Sequence, residues 1–172
     1  DAVAPGSAEA GPLGTGLHLY RRGRERRRRG GGGGGRIALY FSSNQFTGAL
    51  TSRGGTGANG GGAGTIYTRT NSNPTGQVLV DNGGLARPNT PPSSPQTFAL
   101  SLSGRAAANP ATSNLVLSGL LIDSGANLTH LATQTNLDVI VLGSALIGSN
   151  GALSVNAKGF SGATGGAGGG QE

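Results

Sequence analysis

Residues 31–84 alternate between short β-prone runs and glycine clusters, and this rhythm organises the reading of the whole chain. Ile37-Ala38-Leu39-Tyr40-Phe41, Gly48-Ala49-Leu50-Thr51, Thr65-Ile66-Tyr67-Thr68 and Gln77-Val78-Leu79-Val80 each read as a strand. Their Thr, Tyr, Val and Ile suit a pleated surface. Alternation through Thr65–Arg69 puts Ile66 on one face and Tyr67 with Arg69 on the other. Asn59-Gly60, Asn82-Gly83 and Asn150-Gly151 supply positive-φ corners. Most gaps between runs exceed two residues, which predicts corners of a coil rather than tight hairpins. Proline crowds residues 85–96 into a loop, after which Phe98, Leu100 and Leu102 share one face of a further strand.

The back of the chain carries a repeat. Leu115–Ser124 (LVLSGLLIDS) aligns over Ile140–Ser149 (IVLGSALIGS) at an offset of 25 residues, and the match extends to Leu128 over Leu153. A period in the twenties fits one turn of a parallel β-helix, in which like residues stack on like. A helix over residues 115–131 conflicts with the β-branched, glycine-punctuated texture, although Leu117, Leu120, Leu121 and Leu128 fit a helical face loosely. The expected fold is therefore all-β, a right-handed parallel β-helix (solenoid) fragment with a disordered N-terminal segment. Five stretches follow: a disordered Arg/Gly-rich segment (1–35), Gly-rich solenoid rungs (36–84), a Pro-rich loop (85–96), rungs with the 25-residue repeat (97–160) and a Gly-rich tail (161–172).

Composition sharpens this gradient. Gly 35 and Pro 8 make up a quarter of the 172 residues, which borders on low-complexity composition. Leu, Ile, Val and Phe are concentrated in residues 113–158 and sparse in residues 1–35, where only Val3, Leu13, Leu17 and Leu19 occur. Cys 0 excludes disulfides, Cys-ligated metal and thiol chemistry. Met 0 includes position 1, so the chain reads as a piece of a longer polypeptide. No apolar run reaches the roughly 18–20 residues of a membrane-spanning helix.

Charge is lopsided within a total of +6. Residues 1–29 carry seven Arg against Asp1, Glu9 and Glu25. The cluster Arg21, Arg22, Arg24, Arg26, Arg27, Arg28 and Arg29 invites a nucleic-acid reading, because adjacent guanidinium groups neutralise phosphates and release counterions. Only Tyr20 and Tyr40 lie near it for base stacking. Two plainer readings compete: a solvated, self-repelling linker, and a peptide from a shifted reading frame in GC-rich DNA.

Motifs for chemistry are sparse. Between Gly30 and Gln171 the acids are Asp81, Asp123 and Asp138; in the 25-residue register Asp123 lies over Gly148 and Asp138 over Ser113, so neither stacks on an acid, and Asp81 has no assigned place in it. A polysaccharide-active enzyme on this fold needs clustered carboxylates for calcium and a base for proton abstraction. His18 and His130 have no ligand spacing and read as solvated. Gly30, Gly32 and Gly35 match G-x-G-x-x-G only as any poly-Gly tract does, and a strand follows where a helix is required. Gly54–Asn59 resembles the start of a calcium-binding nonapeptide, but Asn59 replaces Asp and Gly61 replaces the large apolar residue. Asn127-Leu128-Thr129 is a glycosylation sequon. No cofactor or metal is expected.

GGGGRIALYF, FTGALTSRGGTGA, GGAGTIYTR, GQVLVDNGG and the closing GALSVNAKGFSGATGGAGGG together resemble the glycine-rich β-helical repeat segments of very large bacterial surface and secreted proteins. The likeness covers residues 30–170, with residues 1–29 departing from it. The resemblance implies an exported, repetitive β-solenoid with adhesive or envelope-associated roles. The partners it implies are cell-surface glycans or neighbouring repeats of the same protein, with self-association through exposed strand edges. The rival expectations are an arginine–glycine nucleic-acid binder acting through Arg21–Arg29 and a polysaccharide-active β-helix enzyme.

Overall fold

The computed structural model describes residues 30–94, 96–132 and 134–159. The described residues contain ten strands and no helix. In chain order they are β1 (Arg36–Phe41), β2 (Thr65–Thr70), β3 (Gly76–Asp81), β4 (Phe98–Ser103), β5 (Ala107–Ala108), β6 (Asn114–Ile122), β7 (Asn127–Leu128), β8 (Asp138–Val141), β9 (Ala145–Ile147) and β10 (Ala152–Leu153). One sheet runs β1-β2-β3-β4-β6-β8, with β9 also on β6, and a narrower sheet runs β10-β7-β5. The stacked parallel strands form a β-solenoid of about three turns.

Side-chain stacking holds the rungs together. Val78, Leu100 and Leu120 occupy one column, and Val80, Leu102 and Ile122 the next. All six are buried, as are Ala108 and Leu128 in the facing sheet. Period-2 alternation sends these residues inward from each strand, so every rung adds one layer to the same apolar column. Burying each large side chain contributes about 1.5–3 kcal/mol. At the last rung Ile147 is 46% and Leu153 43% exposed, whereas Ile122 and Leu128, one layer below them, are at 0%. A rung's inward residues are sealed only when layers lie on both sides.

The 25-residue register holds over part of each rung. Leu120 pairs with Ala145, Ile122 with Ile147 and Leu128 with Leu153, all at that offset. The expected match of Leu115 with Ile140 is corrected: Leu115 pairs with Val139 and Leu117 with Val141, one residue short. From Leu117 to Leu120 β6 takes three steps while the next rung takes four, from Val141 to Ala145, so the extra residue lies in the later rung at 142–144. At Ser118-Gly119 β6 also switches inward phase from Leu115 and Leu117 to Leu120 and Ile122, where its pairing with β4 shifts. An extra residue in one strand re-aims everything beyond it.

Corners stack as well. Gly83, Gly104, Arg105, Gly125 and Asn150 all have positive φ, and Gly84 N donates to Gly104 O and Gly125 N to Asn150 O. The expected corners at Asn82-Gly83 and Asn150-Gly151 are found, the second with Asn150 itself at φ 59. Asn59-Gly60 has no positive φ.

Three expectations about the front half fail. β2 and β3 form an antiparallel hairpin, although the spacing predicted coil corners. The intervening Asn73 explains the reversal, because its Oδ1 accepts from Thr75 N at 2.9 Å and closes an Asx turn. Residues 48–51 form no strand. Part of the segment assigned to disorder, residues 30–35, is held in an ordered bundle instead.

That bundle consists of three passes of chain, 30–35, 52–55 and 59–64. Gly31 N donates to Asn59 O at 2.7 Å and Gly34 N to Gly62 O at 2.8 Å. Gly61 N donates to Gly55 O at 3.0 Å and Gly64 N to Ser52 O at 2.6 Å. Donors to a given neighbour recur every third residue, the periodicity of a polyproline-II-type chain rather than of a β-strand. The inward positions are too close for a side chain. A Cβ on Gly34 would overlap the Ser52 carbonyl oxygen, and one on Gly64 the Gly35 carbonyl oxygen. Nothing lies within 4 Å of a Cβ built on Gly32 or Gly35. The bundle is fastened to the solenoid at Ala63, whose N donates to Asn82 Oδ1 at 2.9 Å and whose carbonyl accepts from Thr90 Oγ1 at 2.6 Å.

Candidate functional site

The richest side-chain cluster outside the core lies where β1 and β2 open the first layer. Register places Ala38 beside Tyr67 and Tyr40 beside Arg69, and across the hairpin Tyr67 faces Val78. Side chains opposite one another share a face, so Tyr40, Tyr67 and Arg69 project from the same side as the core columns. Ile66 pairs with Leu79 on the other side, matching the alternation expected for Thr65–Arg69.

The two tyrosine rings meet at a centroid distance of 5.7 Å with a 56° tilt, within the range of favourable edge-to-face geometry. The Arg69 guanidinium lies over the Tyr40 ring, 5.3 Å from its centroid. Its Nη1 donates to Gln96 Oε1 at 2.9 Å, while its Nε is shielded from solvent with no acceptor among the described residues. Tyr67 rests on Gly76, where a Cβ would overlap the phenol ring. Tyr40 remains 56% exposed.

A cleft of about 160 Å³ opens beside this cluster, lined by Arg36, Tyr40, Thr65, Tyr67, Ser93 and Ser94. Arg69 lines a different cleft of about 330 Å³, with Thr70, Asn73, Thr75 and Gln77. Neither cleft is lined by Asp or Glu. The Pro-rich loop thus supplies hydroxyls opposite the aromatic wall, which its composition alone did not suggest.

The acids lie elsewhere and apart. Asp81 pairs with Arg53 at 2.6 Å, and its Oδ1 accepts from Gly83 N at 2.8 Å. Burial alone would raise its pKa. The Gly83 amide, the Arg53 guanidinium and the Ser103 hydroxyl outweigh that and hold the carboxyl below its ordinary value. In the stack Asp81 faces Ser103, which places the acid that the sequence register left unassigned. Asp123 and Asp138 are exposed; Asp123 accepts from Ser124 N, and Asp138 from Asn136 Nδ2 at 2.8 Å. Among the described residues no three His, Cys, Asp or Glu side chains converge as a metal site.

His130 corrects the solvated reading, being only 2% exposed. Its Nδ1 lies 2.6 Å from Leu131 O, and because a carbonyl only accepts, Nδ1 carries the proton. The sequon is not an exposed loop: Asn127 lies in β7, and Thr129 is 4% exposed. In the nonapeptide-like stretch, Gly55 N is engaged by Gly32 O and Asn59 O by Gly31 N. The arginines of the nucleic-acid reading, Arg21, Arg22, Arg24, Arg26, Arg27, Arg28 and Arg29, lie outside the described residues, as does the tail 161–172.

Sequence reasoning missed the Tyr40–Tyr67–Arg69 cluster. The signal was available in part, because RIALYF and TIYTRT each place an aromatic or cationic residue at alternate positions. Only the parallel register of β1 on β2 makes them neighbours. No protein family, curated protein or solved structure matches this chain.

Proposed function

We propose that this chain is a non-enzymatic structural and adhesive segment of a large exported bacterial protein, whose solenoid presents polar faces to surface glycans. The observation that carries this reading is the aromatic-walled, hydroxyl-lined cleft at β1–β2. Tyrosine faces stack against the C–H faces of a sugar ring, and Thr65, Ser93 and Ser94 offer donors and acceptors to its hydroxyls. The cleft is small and open, so a single contact is weak. Repeated copies in a longer polypeptide would convert weak contacts into avidity.

The test is direct binding of immobilised polysaccharides by the full chain. Tyr40→Ala and Tyr67→Ala are each expected to weaken saccharide binding about tenfold or more, equivalent to a loss of about 1.4 kcal/mol, with the β-rich circular dichroism spectrum intact. Saccharide binding that both variants leave unchanged, or no saccharide binding by the parent, would overturn the reading.

A further inference from the structure

Within the glycan reading, on which this inference rests, we infer that the β1–β2 cleft selects acidic saccharides and takes them as oligomers. Arg36 lines the cleft beside the tyrosines, and Arg69 covers one of those rings. Among the described residues the sole ion pair is Arg53 with Asp81, so neither Arg36 nor Arg69 has a carboxylate partner there. Arg69 is the more telling of the two. It is half-buried, its Nη1 meets the neutral Gln96 amide, and its Nε has no acceptor. A partly desolvated guanidinium with no carboxylate partner carries an unmet demand for counter-charge. A carboxylate-bearing sugar meets that demand while its ring lies on tyrosine, and a neutral sugar does not.

Register sets the size of the ligand. Arg36 pairs with Thr65, four residues before Arg69 on β2. At about 3.3 Å per residue the two backbone positions are about 13 Å apart along the strand. That span exceeds one monosaccharide, so the two arginines address different sugars of one chain. Ser93 and Ser94 line the cleft that holds Arg36.

The experiment compares oligouronate, the matching methyl-esterified oligomer and the free uronic acid monosaccharide by calorimetry. It uses the full chain with Arg21, Arg22, Arg24, Arg26, Arg27, Arg28 and Arg29 changed to Gln, so that the basic run cannot supply the attraction. The acidic oligomer is expected to bind at least about tenfold tighter than its ester, with the preference shrinking as salt rises. The monosaccharide is expected to bind far more weakly than either oligomer. Arg36→Gln and Arg69→Gln together should erase the acid preference, bringing the acidic oligomer and its ester to equal affinity. Arg36 is exposed on an edge strand, so its variant is expected to fold even if the Arg69 variant does not. Equal affinity for acid and ester would overturn the charge selectivity and leave the glycan reading standing. Failure of all three saccharides to bind would overturn the glycan reading itself. Acid preference undiminished by Arg36→Gln in a folded protein would also overturn the inference, because the selectivity would then arise without the cleft arginine. Equal binding of polyglutamate would overturn it too, by showing generic charge attraction.

Discussion

The glycine bundle of residues 30–64 and the stacked rungs of residues 76–155 solve the same problem by opposite means. The rungs exclude water with side chains: Val78, Leu100 and Leu120 fill one column, and little backbone touches backbone except along the sheet. The bundle has almost no side chains to bury. Its passes approach so closely that carbonyl oxygens occupy the space a Cβ would need, and its cohesion comes from amide–carbonyl bonds every third residue. Large apolar side chains tolerate truncation in degree, whereas a backbone-packed bundle tolerates additions only at its outward positions. The contrast makes glycine content an instruction for packing rather than a mark of disorder.

The largest effect is expected in the rungs. Leu100→Ala should destabilise the protein by about 2–5 kcal/mol, since it removes a fully buried side chain between two layers. Urea unfolding measures it, and a loss below 1 kcal/mol would deny the stacked column.

Second comes the phase test of the bundle. Gly34→Ala or Gly64→Ala should cost about 1–3 kcal/mol through overpacking, while Gly32→Ala or Gly35→Ala meets open space and should be near neutral. Equal costs at all four positions would break the period-three description. Asn82→Ala probes the joint between the regions. It leaves Ala63 N without its buried acceptor and should cost about 1–3 kcal/mol, read as selective loss of amide protection in residues 59–64 by hydrogen exchange.

The smallest effect concerns the Arg53–Asp81 pair, which also joins bundle to rung. Arg53 is half exposed, so Arg53→Gln should cost less than about 1 kcal/mol. Because the folded Asp81 carboxyl titrates below its ordinary value, its contribution is fully present above the unfolded pKa. It disappears as pH falls through the lower, folded pKa. Thermal unfolding from pH 6 down to pH 2 should show a shallower acid decline in Asp81→Asn than in the parent.

Much of the back half was legible because stacking leaves a one-dimensional trace. Repeating leucines and isoleucines at matched offsets reveal a solenoid, and Asn-Gly pairs mark some of its corners. The register error at Leu115 arose because one extra residue between Val141 and Ala145 changes the offset between the two rungs, and strand texture on either side does not record it. The front half was harder. Poly-Gly has no side-chain pattern, so a bundle and a disordered linker look alike until hydrogen-bond partners 28 residues away are known. The buried His130 was misread for a related reason: burial depends on which rung lies above it.

The amino-acid sequence alone determined the strand texture, the stacking of like on like, the scarcity of acids and the alternation that sets Ile66 opposite Tyr67 and Arg69. These are local or periodic properties, carried by neighbouring residues. Tertiary structure decided the hairpin at Asn73, the three-pass glycine bundle and the meeting of Tyr40, Tyr67 and Arg69 opposite Ser93 and Ser94. The hairpin turns on the local Asn73–Thr75 bond, which leaves the choice between corner and reversal open until the strands pair. The bundle and the cluster depend on contacts between distant segments, whose energy is set by register and close approach, and neither is written in any one stretch of chain.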